Sequence, residues 1–227
     1  MKEQLLQTAK PIIFNTEMVK AILDGRKTQT RRVVNKEYLG MADIDDNNIY
    51  VPNEDGGYIN ILRTSWSKYK VGDILWVRET WCYGSVVGDS DDYGNEELWL
   101  EQLQEHEDNE IVFYKADMDE ALNQGVSFDE VAWKPSIHMP KKYARIFRVV
   151  TKVKIERLQD MNIEDFLDEG IIDLGFVVSS PSNGLNEYYE YLKNKWQILW
   201  NSTAKKGYRL EDNPFVFVYE FEKVEVC

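Results

Sequence analysis

The chain of 227 residues carries a formal net charge of −13, which disfavours nonspecific coating of nucleic acid because such binding depends on neutralising phosphates. Hydrophobic residues make up 43% of the sequence, which excludes global disorder. No apolar run reaches the roughly 20 residues of a membrane span, and the first residues lack the apolar block of a signal peptide. We therefore expect a cytoplasmic protein without a membrane partner.

In the first third of the chain, a short helix precedes a strand. Thr16 is a good N-cap for this helix, and Gly25 favours its end. β-Branched residues predict a strand from 28 to 34. Residues 35–70 are polar and interrupted by Asn-Asn and Gly-Gly, so we expect an insertion with at most a hairpin. A buried strand is predicted over 74–81.

The rest of the chain alternates irregular segments with strands and two further helices. An acidic insertion at about 84–130 is expected to hold a loop with a short helix. Asn162 caps a helix that ends at Glu169, and a stronger amphipathic helix is predicted over 186–201. Further strands are predicted over 111–114, 143–158 and 215–222, the last of them half-buried.

These elements predict an α+β fold, since they show no βαβ rhythm. Short strands separated by irregular loops favour a small β-barrel with flanking helices. At this length we predict a single domain over residues 1–227, with the polar insertions at about 35–70 and 84–130.

Cysteine and histidine are too few and too scattered for metal or disulfide chemistry. Two cysteines cannot form a disulfide framework. With two histidines they show no zinc-ligand spacing. We therefore expect no metal and no cofactor. The four residues are Cys82, His106, His138 and Cys227.

Basic residues are concentrated in two places in this acidic chain. Residues 86–130 contain fifteen acids and one base, whereas residues 133–157 contain eight bases and one acid. Either basic cluster alone fits a solvated face, but two clusters favour a local site for an anionic ligand. The second cluster consists of Lys20, Arg26, Lys27, Arg31 and Arg32.

The turn and strand at 25–32 are the first candidate for chemistry. Neighbouring arginines are expected to lower the pKa of Lys27, which suits a base for the Thr30 hydroxyl as nucleophile. The alternative is a solvated or phosphate-binding basic turn. Alternation along the strand separates two faces. One carries Thr28, Thr30 and Arg32, and the other carries Gln29 and Arg31.

Glu169 is the second candidate. It lies in the last turn of its helix, where the macrodipole disfavours negative charge. A partly buried carboxyl in that place suits a general acid. The alternative is an exposed glutamate in an acidic helix.

The segment Val77–Trp81 is a candidate for ligand contacts. Arg78 is placed to bind a phosphate or carboxylate, and Glu79 points to the opposite face. Trp81 is placed to stack on a base. The alternatives are an ion pair at a strand end and a core tryptophan.

The loop at 133–140 is stiffened by two prolines and carries an aromatic ring, a hydroxyl and an imidazole. Trp133, Ser136 and His138 suit base stacking with polar readout. The alternative for His138 is a hydrogen-bonded structural histidine.

Five segments, taken in order, resemble ASCH domains of the PUA-like superfamily, of the larger type found in phages and prophages. They are FNTEMVKAILDGRKTQTRR at 14–32, VGDILWVRETW at 71–81, WKPSIHMP at 133–140, RLQDMNIEDFLDEGI at 157–171 and NPFVFVYEFEKV at 213–224. The resemblance implies a PUA-like β-barrel with a cleft that faces RNA or a nucleoside.

The resemblance also implies roles for three residues. Small bacterial ASCH proteins are N4-acetylcytidine amidohydrolases, and their Gly-Arg-Lys-Thr-x-Thr segment corresponds here to Lys27 as base and Thr30 as nucleophile. Their working glutamate corresponds to Glu169 as proton donor. Contacts to substrate or nucleic acid are expected at Arg26, Arg31, Arg32, Arg78, Glu79, Trp81, Trp133, Ser136 and His138.

Three functions stay open at this point. The Lys-Thr-Glu set favours a hydrolase acting on a modified nucleoside. The basic segment at 133–157 favours a non-catalytic module that binds RNA or a modified nucleotide. A ribonuclease is the third, because some ASCH proteins cut RNA. The sequence leaves the oligomeric state open.

Overall fold

The computed structural model describes residues 7–40, 42–45, 48–84, 111–119, 132–171, 176 and 183–224. Over these residues the chain is a mixed α+β protein with several sheets and few helices, which confirms the predicted class. The helices are α1 (Thr16–Leu23), α2 (Lys36–Leu39), α3 (Ile163–Asp168) and α4 (Gly184–Thr203). The strands are β1 (Lys10–Ile13), β2 (Gln29–Val33), β3 (Asp43–Asp45), β4 (Asn48–Pro52), β5 (Tyr58–Asn60), β6 (Ile74–Arg78), β7 (Trp81–Gly84), β8 (Ile111–Tyr114), β9 (Phe147–Arg157) and β10 (Phe215–Lys223).

The chain divides into two compact units. The first unit takes the residues up to Lys20 and those at Leu75–Phe147. The second unit takes Ala21–Ile74 and Arg148–Glu225. The single domain expected over 1–227 stays a prediction.

Strand β10 organises the second unit, since it pairs antiparallel with both β9 and β2. It is buried on both faces over most of its length, so the prediction of a half-buried strand is wrong. The reason is that Val216 and Val218 face an apolar cluster with helices α3 and α4. Leu192 and Trp196, four residues apart on α4, and Phe166 of α3 belong to this cluster.

Residues 35–70 fold further than the single hairpin that the sequence allowed. Strands β3, β4 and β5 form a three-stranded antiparallel sheet. Ile49 and Val51 alternate on β4 and are buried, as is Ile61 just after β5. These short apolar runs are diluted by Asn, Asp and Gly, which is why the sequence pattern underestimated them.

In the first unit, β1 runs parallel to β6, and β7 pairs antiparallel with β8. The strand expected over 74–81 is broken after Arg78 and resumes at Trp81. A core of Trp81, Tyr114, Met139 and Tyr143, with Val112, holds the second strand pair against two 3₁₀ turns. These turns are Ser136–His138 and Lys141–Tyr143, and each follows a proline.

Several expectations are settled only in part. The sheets formed by the described residues do not close into a barrel, so the predicted PUA-like barrel is not confirmed. Most of the acidic insertion, with its expected loop and short helix, lies outside the described residues. In the part of the chain that the structure describes, no helix is long and apolar enough to cross a membrane.

Candidate functional site

Lys27 lies on a turn whose backbone is fixed from two sides. Gly25 ends helix α1 with a φ of 75°, and the Lys27 N–H donates to the Ala21 carbonyl at 2.9 Å. On the other side, Lys27 pairs with Glu169 in an isolated antiparallel bridge. The turn therefore lies against the end of α3, although Lys27 and Glu169 are 142 positions apart in the chain.

Gly170 permits this close approach. Its φ of 87° lies in the left-handed region that favours glycine. A Cβ at this position would lie 2.7 Å from the Ala21 Cβ and 3.1 Å from the Lys27 Cβ. Any larger residue would therefore push the Lys27 turn away from the end of the helix.

The Lys27 ammonium and the Glu169 carboxylate form a buried ion pair. The distance from Lys27 Nζ to Glu169 Oε2 is 2.6 Å, and Nζ also donates to the Glu169 carbonyl oxygen at 3.0 Å. The two side chains are 1% and 2% exposed. Glu169 is the C-cap of α3, one residue beyond the last helical residue, and the alternative of an exposed glutamate is wrong.

Burial lowers the pKa of Lys27 below the ordinary lysine value of 10.5, because desolvation penalises the charged amine. The Glu169 carboxylate opposes this shift, while Arg32 and Arg31 add to it. The sequence predicted a lowered pKa but attributed it to neighbouring cations, and burial is the larger cause. A lysine whose pKa is lowered releases its proton more easily than an ordinary lysine, as a general base must.

Arg31 is fully buried, and its guanidinium binds three carboxylates. Nε and Nη2 donate to Glu156 Oε1 at 2.9 and 2.6 Å. Nη2 also donates to Asp165 Oδ1 at 2.7 Å, and Nη1 donates to Glu169 Oε1 at 3.1 Å. Burial disfavours the charged form of Arg31 and acts to lower its pKa. The three carboxylates outweigh this effect, so the pKa of Arg31 is raised. We call the connected residues Lys27, Gln29, Arg31, Glu156, Asp165 and Glu169 the Arg31 network.

The predicted alternation along β2 agrees with these contacts. Gln29 reaches the same carboxylate as Arg31, since its Nε2 donates to Asp165 Oδ1 at 3.1 Å. Asp165 is also held by the N–H of Asn162 at 3.0 Å in a capping box. Burial alone would raise the pKa of Asp165, but the Asn162 N–H, Arg31 and Gln29 together lower it.

On the opposite face of β2, the Thr30 hydroxyl lies in a second cluster of polar side chains, which includes Arg32, Tyr69 and Tyr219. Arg32 Nη1 donates to Thr30 Oγ1 at 2.9 Å. Tyr219 stands opposite Thr30 in the register of β2 and β10. Burial raises the pKa of Tyr69 to about 12 and raises that of Tyr219, and the charge of Arg32 opposes both shifts. The structure therefore brings Lys27 and Glu169 together, whereas Thr30 lies on the other face of β2 and is hydrogen-bonded to Arg32.

Arg26, on the same turn as Lys27, is partly exposed and fastens the turn. Its Nη2 donates to Asp24 Oδ2 at 2.6 Å, and its Nη1 donates to the Gly170 carbonyl at 3.1 Å. The expected contact of Arg26 with a ligand stays a prediction.

Two residues expected to contact a ligand, Glu79 and Trp81, are engaged within the first unit. Glu79 is 1% exposed, and its two oxygens accept from Arg145 at 2.9 and 2.8 Å. Arg145 also binds Asp117, and we call these three residues the Arg145 cluster. Trp81 is 2% exposed and packs in the aromatic core, so its ring has no face open to a base.

Arg78 binds the backbone of the neighbouring loop. Its Nη2 donates to the carbonyl oxygens of Ile137 and Met139, the second at 3.2 Å. This geometry uses the guanidinium to fix the 3₁₀ turn at Ser136–His138. Arg78 therefore makes backbone contacts where the sequence indicated a phosphate or carboxylate ligand.

The loop at 133–140 keeps its expected side chains near the surface. His138 is exposed, and Trp133 and Ser136 are partly exposed. Lysines lie over the aromatic rings here, a favourable cation–π arrangement. Lys115 Nζ is 5.9 Å from the Trp133 ring centroid, and Lys134 Nζ is 3.9 Å from that of Tyr83.

Sequence reasoning missed Glu156 and Asp165, which complete the Arg31 network. Glu156 was detectable as the single acid among eight bases in residues 133–157. Asp165 was detectable only as the third residue of a capping box with Asn162, a pattern that marks a helix start and names no distant partner.

No family model, curated protein or solved structure matches this chain. Within the described ranges, no three side chains of His, Cys, Asp or Glu are grouped so that they could hold a metal ion.

Proposed function

We propose that this chain is an ASCH-type, PUA-like protein that binds an RNA base or nucleoside and hydrolyses an acyl amide on it with Lys27, Thr30 and Glu169. The observation that carries the proposal is the buried contact of 2.6 Å between Lys27 Nζ and Glu169 Oε2. Buried ion pairs contribute little net stability, because desolvation offsets their attraction. A role in catalysis accounts for an ion pair that is buried so completely.

The Lys27–Glu169 pair supplies both a base and an acid. A proton that moves along their hydrogen bond converts the ion pair into a neutral amine and a carboxylic acid, and burial favours the neutral amine of Lys27. The amine then takes the Thr30 hydroxyl proton while the oxygen attacks the acyl carbon. Glu169 gives its proton to the departing amine of the base, and water releases the acyl group from Thr30 as the free acid.

Arg32 supports Thr30 as the nucleophile. Because Arg32 Nη1 donates to Thr30 Oγ1 at 2.9 Å, the hydroxyl acts as acceptor towards Arg32 and keeps its own proton for the base. The guanidinium charge also stabilises the negative charge that develops on Oγ1 during attack. The reaction further requires Lys27 Nζ to come within about 3 Å of Oγ1 in the substrate complex.

A non-catalytic module that binds single-stranded RNA is the second candidate. The observation that favours it lies beside the loop at 133–140, where Lys115 lies over the partly exposed ring of Trp133 and Lys134 lies over the exposed ring of Tyr83. Aromatic faces flanked by cations stack bases with little sequence preference.

Acetate release from N4-acetylcytidine in the presence of a metal chelator separates the two candidates. The proposal expects release by the wild-type protein, loss of release in Lys27→Ala, and an RNA affinity only slightly reduced in that variant. Lys152→Ala, which removes an exposed lysine, is the matched control and keeps full release. A wild-type protein that binds RNA at micromolar concentration and releases no acetate supports the binding module instead.

A further inference from the structure

Arg31 carries an inference that deepens the proposed function and rests on it. We propose that Arg31 is a positioning residue that holds the Glu169 carboxylate in place for Lys27, and that it does not contact the substrate. This assignment replaces the ligand contact that the sequence indicated for Arg31.

The guanidinium of Arg31 has little capacity left for a ligand. Its side chain is 0% exposed. Four hydrogen bonds to carboxylates use four of its five N–H groups. A substrate would have to displace a buried carboxylate to bind there, and that would leave the displaced charge uncompensated.

The three carboxylates tie together elements that are distant in sequence. Glu156 lies on β9, whereas Asp165 and Glu169 stand four residues apart on one face of α3. Arg31 on β2 binds all three, so its planar fork fixes the orientation of α3 against the sheet of the second unit.

The two oxygens of Glu169 are shared between two cations. Oε1 accepts from Arg31 at 3.1 Å, and Oε2 accepts from Lys27 at 2.6 Å. The bond at Oε1 prevents rotation of the carboxylate and keeps Oε2 directed at Lys27 Nζ. Proton transfer is sensitive to such geometry, so Arg31 acts on the reaction through Glu169.

The other two carboxylates are anchored as well, which makes the arrangement rigid. Lys154 Nζ lies 2.8 Å from Glu156 Oε2, and Gln29 donates to Asp165. A lysine in place of Arg31 would keep the charge, but its single ammonium cannot reproduce the fork geometry.

The substitution Arg31→Lys tests the proposal through steady-state kinetics on N4-acetylcytidine. We expect kcat to fall about 10- to 100-fold, the usual effect of losing a group that orients a working residue, with KM within about twofold of wild type. Arg145→Lys is the matched control, because it makes the same change in the Arg145 cluster and leaves kcat unchanged. A raised KM with unchanged kcat in Arg31→Lys overturns the proposal, since that result indicates substrate contact.

A second readout does not depend on activity. In protein labelled with ¹⁵N-lysine, the Lys27 Nζ resonance is assigned by its loss in Lys27→Arg. We expect Arg31→Lys to shift or broaden this resonance and Arg145→Lys to leave it in place. An unchanged Lys27 resonance in Arg31→Lys overturns the positioning role. If the wild-type protein releases no acetate, the proposed function fails, and the resonance still decides the role of Arg31.

Folding of the variants is checked by thermal melting. If Arg31→Lys does not fold, Glu156→Gln takes its place, because it neutralises the partner of two of the four Arg31 bonds and leaves Lys27 and Glu169 intact. A decrease in kcat of about threefold and a shifted Lys27 resonance support the proposal. A wild-type kcat together with an unshifted resonance overturns it.

Discussion

Each of the two units holds an arginine among carboxylates, but the two clusters differ in burial and in their other members. Arg145 in the first unit binds Glu79 and Asp117, while Arg31 in the second binds three carboxylates. Only the Arg31 network, among these two clusters, also holds a lysine against one of its acids. The difference teaches that carboxylates alone hold a partly buried arginine in the first unit, whereas the lysine added in the second unit creates an amine–carboxylate pair able to exchange a proton.

The shifts in pKa follow the same division. Burial raises the pKa of Glu79, although Arg145 opposes the shift. Burial lowers the pKa of Lys27, although Glu169 opposes it. An arginine keeps its charge at any working pH, so the cation of the Arg145 cluster cannot act as a base. The Arg31 network sets an amine of lowered pKa beside a carboxyl group, which suits acid–base chemistry.

The largest expected effect comes from Lys27→Met, which makes the Arg31 network resemble the Arg145 cluster. The free energy of unfolding is expected to fall by roughly 3–5 kcal/mol, because Glu169 loses its closest cation in a buried place. Urea unfolding measures the change. In a double-mutant cycle with Glu169→Gln, the two losses together are expected to be smaller than their sum by about 1–3 kcal/mol. Additive losses would contradict the pairing.

Arg145→Met is expected to destabilise the fold by about 3 kcal/mol, since it leaves the buried Glu79 carboxylate without its arginine. This variant disrupts the cluster that is not assigned to the reaction, so acetate release by the folded variant is expected to match wild type. Release assayed well below the melting temperature checks this. A folded variant with little release would show that the Arg145 cluster also takes part in the reaction.

Alkaline pH sharpens the comparison through Lys27. The folded pKa of Lys27 lies below its unfolded value of 10.5, so between the two values the unfolded chain binds more protons. Stability contributed by this group therefore rises with pH across that window. We expect the urea midpoint of the wild type, measured relative to that of Lys27→Met, to increase as the pH rises from neutral towards 10.5. Tyrosine titration affects both proteins and therefore cancels in this difference. A stability difference that is constant with pH would contradict a lowered pKa.

The smallest effect is expected at the surface pair of β9 and β10. Lys152 Nζ lies 3.0 Å from Glu220 Oε1, a distance close to that of the Lys27 pair, but the side chains are 60% and 36% exposed. Lys152→Ala is expected to change the free energy of unfolding by less than about 0.5 kcal/mol, because water screens the charges. A decrease of more than roughly 1 kcal/mol in the free energy of urea unfolding would mean that the charge separation determines the strength of an ion pair more than its burial does.

The elements that place Lys27 and Glu169 were predictable because their ends are set by local signals. Gly25 and Asn162 mark their helix ends as expected. Helix α1 begins at Thr16, but its N-cap was misassigned by one residue, because Asn15 Oδ1 and not the Thr16 hydroxyl accepts from the Met18 N–H at 2.8 Å. Pairing of the lysine with the glutamate was implied by the resemblance, and no local signal reports it.

The partners of Arg31 could not be predicted from the sequence. Alternation correctly put Arg31 on the face opposite Thr30, but it does not say what that face meets. Glu156 lies 125 positions away, and its contact depends on how β9, β10 and β2 come together. The sequence likewise does not show what Trp81 packs against, so it suggested a stacking residue where the structure has a tryptophan in an aromatic core.

The most direct test of the proposed Lys27–Thr30–Glu169 chemistry is a single-turnover incubation of excess protein with N4-acetylcytidine, followed by mass spectrometry. We expect free cytidine to accumulate with wild-type protein and an acetyl adduct to appear transiently on the peptide that contains Thr30. Intact N4-acetylcytidine after prolonged incubation with folded wild-type protein would contradict the proposal.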